Sequence, residues 1–113
     1  MQNKEPMITV DPATITFPAS GGNSTHQIVS VYDSRISFKV KSSNNENYRV
    51  RPVYGFIEAK QKAKLEIVRL EGPAKDDKIV VICAEVPPEE IEPQAPFRGG
   101  FHQGEFTIQI KAT

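Results

Sequence analysis

Apolar residues recur at every second position through much of this chain, and turn-forming residues interrupt them at short intervals. That spacing dictates β-strands, and no segment carries a helical period. In Ile36-Ser-Phe38-Lys-Val40-Lys41 the apolar residues at 36, 38 and 40 face one side while Ser37, Lys39 and Lys41 face the other, so the predicted strand is half-buried with a cationic outer surface. Phe106, Ile108 and Ile110 alternate with Glu105, Thr107, Gln109 and Lys111 in the same way, and Ala63-Lys-Leu65-Glu-Ile67 repeats the pattern. The unbroken run Ile79-Val-Val-Ile-Cys-Ala84 is rich in β-branched residues, as expected of a central strand covered on both faces.

The first forty residues are more broken. Ile8–Val10, Ile15–Phe17 and His26–Tyr32 are short, with Pro12 and Pro18 between them, which suits edge or sheet-switching strands where proline's missing donor is tolerated. In the third piece, either Ile28 with Tyr32 or Val29 with Val31 faces inward. Turns are expected at Ser20–Asn23, Ser42–Asn45, Glu71–Asp77, Val86–Pro88 and Arg98–Gly100, and a proline-rich excursion over Val86–Phe97. About seven short strands in 113 residues predict an all-β, seven-stranded immunoglobulin-like β-sandwich. A chain of this length buries roughly two-thirds of its unfolded surface, so one domain over 7–113 behind a flexible start at 1–6 needs no staple.

The single Cys83 forms no internal bridge, which suits a reducing compartment. The start lacks a signal-like apolar stretch and no window reaches the length of a membrane span, so a cytoplasmic protein is expected, without direct membrane insertion. Fourteen bases balance fourteen acids, which argues against general nucleic-acid binding. The balance conceals a division: Arg35–Arg69 holds nine bases and three acids, net +6, and the remainder is net −6. A fold that separates the signs favours acidic partners or head-to-tail self-association.

Catalytic constellations are missing. Neither a nucleophile elbow nor a phosphate-binding glycine loop occurs. His26 and His102 have no Cys or carboxylate at ligand spacing and read as ordinary histidines in or near loops, so no metal is expected. Cys83 lies in the most apolar run, where burial suppresses the thiolate. Glu89, Glu90 and Glu92, flanked by prolines, read as solvated. Asn23-Ser-Thr25 matches a glycosylation acceptor by coincidence, and Lys60-Gln-Lys-Ala-Lys64 reads as a solvated strand edge. The expectation is a non-enzyme with no cofactor.

What survives is a binding constellation. Lys39, Lys41, Arg49 and Arg51 project from consecutive extended segments around the Ser42–Asn47 bend, with Ser42 and Ser43 offering hydroxyls beside them. A flat basic face of this kind suits an acidic extended peptide.

The stretch Phe38-Lys-Val-Lys-Ser-Ser43, then Tyr48-Arg-Val-Arg-Pro-Val-Tyr-Gly55, then Lys78-Ile-Val-Val81, resembles the major sperm protein domain of nematode major sperm proteins and VAMP-associated proteins. Gly21–Thr25, Asp33-Ser-Arg35, Gly72-Pro73 and Ala84-Glu-Val-Pro87 add a nearer likeness to the small nematode sperm-specific class P group. The resemblance implies a seven-stranded sandwich and no catalysis. It also implies a role in sperm cytoplasm as a protein-interaction domain, binding components or regulators of the motility cytoskeleton. The alternative it implies is a structural protein that dimerises and polymerises itself. The peptide-binding positions of the tethering branch fall on Lys41, Ser43, Lys78 and Val80: two cations for partner acids, a hydroxyl donor and an apolar wall. Val80 stands where that branch usually carries Met, and it fills less space. In Arg51-Pro-Val-Tyr-Gly55 the proline fixes a bend and the glycine permits a positive φ.

Overall fold

The alternating segments become strands in a computed structural model, which describes residues 6–113. The start expected to be flexible lies outside the described residues but for Pro6. The strands are β1 (Ile8–Asp11), β2 (Thr14–Phe17), β3 (Gly22–Ser30), β4 (Ile36–Ser42), β5 (Tyr48–Arg51), β6 (Tyr54–Ile57), β7 (Lys62–Arg69), β8 (Asp76–Glu85) and β9 (Gly104–Ala112). They form a four-stranded sheet ordered β1-β3-β7-β5 and a five-stranded sheet ordered β2-β9-β8-β4-β6. All pairs are antiparallel except β2 with β9.

Nine strands replace the expected seven because β5 and β6 also pair. At four residues each, they are too short to show an alternation. The chain passes between sheets at Pro12 and Pro52, both preceded by cis peptide bonds. Between the sheets lie Ile8, Val10, Phe17, Ile28, Ile36, Phe38, Val40, Leu65, Ile67, Ile79, Val81, Ile108 and Ile110, all buried. In β3 the open choice of phase resolves toward Ile28, which is buried, while Val31 is exposed. Burial of one such residue relative to exposure contributes about 1.5–3 kcal/mol, enough to fix a strand's phase.

The proline-rich excursion does more than connect. Residues 86–103 cross the outer face of the five-stranded sheet, and Phe97, in a single 3-10 turn (Ala95–Phe97), packs on Ile82, Ala84 and Tyr54. Arg35 fastens this strap: its guanidinium donates to Pro88 O (2.9 Å) and Glu90 O (2.8 Å) and lies 3.8 Å over the Phe56 ring. Ser37 therefore points outward as expected yet is buried.

Two expectations are corrected, at His26 and at Gly55. His26 is in no loop: it is buried in β3, with Nδ1 2.7 Å from Pro12 O and Nε2 2.7 Å from Ser24 Oγ. Lys62 and Lys64, by contrast, keep the solvated edge expected of them: both are exposed on β7, and β5 reaches only Glu66–Arg69, so their stretch pairs with β3 alone. Gly55 has no positive φ; it pairs directly with Phe38, and a Cβ there would stand 2.6 Å from the Phe38 ring.

Candidate protein-binding face

Alternation along β4 and β8 turns Lys39, Lys41, Lys78, Val80 and Ile82 to the outer side of the five-stranded sheet. Lys41 pairs across the ladder with Val80, and Lys39 with Ile82. Lys78 stands one pleat from Val80 on β8, so Lys41 and Lys78 share a face on neighbouring strands with Val80 between them. Both lysines are exposed, and neither they nor Lys39 form an ion pair among the described residues. Lys39 Nζ sits 5.5 Å from the Tyr54 ring centroid, within range of a cation–π contact. Val80 joins Tyr54, Ile82 and Phe97 in a small apolar cluster, so the lysines border an apolar surface.

The Ser43 hydroxyl fastens the end of this face. It donates to Asp77 Oδ1 (3.0 Å) and accepts from the Lys78 N–H (3.0 Å), while Ser43 N–H donates to Lys78 O. Asp77, nearly buried, also accepts from Asn44 Nδ2 (3.1 Å). With its proton directed at Asp77, Ser43 offers an incoming group a lone pair. Asp77 anchors this corner, a role its sequence position did not announce, since there it is only the last residue of the expected turn Glu71–Asp77.

Arg49 and Arg51 depart from the single flat face that the spacing suggested. They lie on β5, in the other sheet, and Arg51 stands opposite Glu66. The sheets part between β4 and β5 into a groove of about 430 Å³ lined by Lys39, Val40, Lys41, Tyr48, Arg49 and Val50, with Val53. Arg49 thus meets Lys39 and Lys41 across the groove; Arg51 does not line it. Of the nine bases in the cationic segment, Arg69 is interior, donating to Tyr48 Oη (3.1 Å) and Pro73 O (2.7 Å), and Arg35 is paired with Glu58 at 3.1 Å. Elsewhere, burial pushes the Cys83 thiol up to about 11, against a smaller opposing effect of a Gly104 main-chain hydrogen bond.

The major sperm protein (MSP) domain family matches residues 7–105. The chain belongs to the MSP-domain family. Sperm-specific class P protein 32 of Caenorhabditis elegans is 64% identical over 93% of this chain and 98% of its own length. Among solved structures, WR4, a C. elegans MSP family member, superposes with a TM-score of 0.93 at 61% identity, covering 96% of this chain and all of that one. SSP-19, an MSP-domain-like protein of the same nematode, gives 0.87 at 41% identity, covering 93% and 98%. The all-β sandwich is therefore the MSP fold, in a family of structural and interaction proteins with relatives in nematode sperm. No helix among the described residues is long and apolar enough to cross a membrane.

Proposed function

We infer that this MSP domain is a non-catalytic interaction module of nematode sperm cytoplasm, holding an acidic extended segment of a partner or regulator of the motility cytoskeleton. The observation that carries the reading is the adjacency of Lys41 and Lys78 on one exposed face, unpaired among the described residues and separated by Val80. Lys39 and Arg49 extend the positive potential around the groove, and Val80 with Tyr54 offers an apolar seat. Such charges steer encounter and exclude cationic competitors more than they add affinity. The test is affinity capture from nematode sperm extract with mass spectrometry, comparing the wild type with Lys41→Asp/Lys78→Asp. Loss of specific partners in the double variant supports the reading; unchanged capture removes this face from the mechanism.

Self-assembly is the second reading, favoured by one observation. The edge strands β2 (Thr-Ile-Thr-Phe) and β6 (Tyr-Gly-Phe-Ile) carry no charge, and uncharged edges are those that pair with other chains. Sedimentation over a concentration series separates the two readings: a strict monomer at high concentration excludes polymerisation by this chain alone.

A further inference from the structure

The groove has a property beyond its charge: one of its walls is a free strand edge. β5 ends the four-stranded sheet, and its register pairs Tyr48 with Arg69 and Val50 with Ile67. Leu70 N–H donates to Asn47 O (2.7 Å), which makes Asn47, and by alternation Arg49 and Arg51, the residues that turn their main-chain groups toward β7. Tyr48 and Val50 consequently turn theirs away from β7, into the groove. The side chain of Arg49 agrees: its guanidinium folds back to donate to Tyr48 O (3.0 Å) and to Asn45 O, capping carbonyls that no strand reaches. The N–H and C=O of Val50 complete a short unpaired edge. None of the groove's lining residues is a carboxylate, whereas Lys39, Lys41 and Arg49 are all cationic.

We propose that the acidic partner segment enters this groove and joins the four-stranded sheet as a fifth strand along β5, its carboxylate drawing Arg49 off Tyr48 O so that this carbonyl accepts a partner N–H. The proposal rests on the basic-face reading and adds the manner of recognition. Main-chain pairing supplies affinity, while the surrounding cations select acids on the partner. Arg49 has two states: closed over its own strand edge when the groove is empty, and paired with the partner's carboxylate when it is filled. An unguarded edge would accept any extended chain, so a cation that yields only to an acid also confers selectivity.

The probe is an amidated octapeptide of alternating Glu and Val carrying an N-terminal fluorescein, with two equally labelled relatives N-methylated at every Val or at every Glu, titrated by fluorescence anisotropy. In a paired strand only alternate N–H groups face the neighbour, so one methylated peptide should lose affinity by roughly tenfold or more while the other stays close to the parent. Val50→Pro removes an N–H aimed at the groove from an edge strand that tolerates proline, and should weaken binding by roughly tenfold, whereas Val50→Ala should change it little. Equal binding of the two methylated peptides overturns strand addition, and that comparison leaves the protein unaltered should Val50→Pro fail to fold. Weakened binding by Lys41→Asp/Lys78→Asp together with indifference to methylation keeps the basic face and rejects the fifth strand. Failure of the parent peptide to bind the wild type overturns both.

Discussion

Gly55 and Cys83 each occupy a place where one added or removed atom is felt. Opposite Phe38, a side chain at position 55 has no room, since its Cβ would lie 2.6 Å from the aromatic ring. Gly55→Ala should therefore destabilise the domain by about 1–3 kcal/mol, measured by urea denaturation. The Arg-Pro-x-x-Gly motif was legible as a constraint on the chain, but its cause was not. Turn chemistry is local in sequence, whereas the Phe38 ring that forbids a Cβ arrives from another strand. Cys83 was legible as a core thiol, and burial raises it from 9.0 to about 11. The folded state thus holds the proton more tightly than the unfolded state. The stabilisation is complete below pH 9 and is lost as pH rises through about 11. In denaturant titrations, the advantage of the wild type over Cys83→Ala should be constant from pH 7 to pH 8.5 and shrink above pH 9. A pH-independent difference would contradict this.

Strands with strong alternation, such as β4, β7 and β9, follow from their sequence because an apolar stripe fixes their phase. The strap at 86–103 shows where that reasoning stops. Its prolines and turns announced an excursion, but which surface it covers depends on Arg35, some fifty residues upstream, meeting Pro88 O and Glu90 O. Removing that clasp with Arg35→Ala should leave the sheets intact and loosen the strap. The expected result is a stability loss of about 1–3 kcal/mol and new proteolytic cleavage confined to 87–101. Phe97→Ala should cost about 3–5 kcal/mol, since it empties the cluster over Ile82 and Ala84. Cleavage spread evenly along the chain after Arg35→Ala would show that the strap is no separate unit.

On the scale of the molecule, net charge near zero conceals a local field. The sequence exposed the +6 segment, but folding redistributes it: Arg69 goes inside, Arg35 clasps the strap, and Arg51 pairs with Glu66 across the β5–β7 ladder. Of the six that remain, Lys39, Lys41 and Arg49 gather around the β4–β8 ladder and the groove beside it, where Lys78 joins them from β8. Lys41, Arg49 and Lys78 are exposed and Lys39 is half-buried, so binding through them should weaken steeply as salt is raised, because the screening length falls from about 10 Å at 0.1 M to about 3 Å at 1 M. Affinity for an acidic peptide that is indifferent to salt over that range would exclude charge as the selector. Where the partner sits can be read by amide chemical-shift mapping of the isotopically labelled protein against the Glu/Val octapeptide. Shifts should be confined to Lys39, Lys41, Tyr48–Val50, Lys78 and Val80; shifts gathered instead on the strap at 86–103, or on the edges of β2 and β6, place the partner elsewhere and remove both the basic face and the groove from recognition.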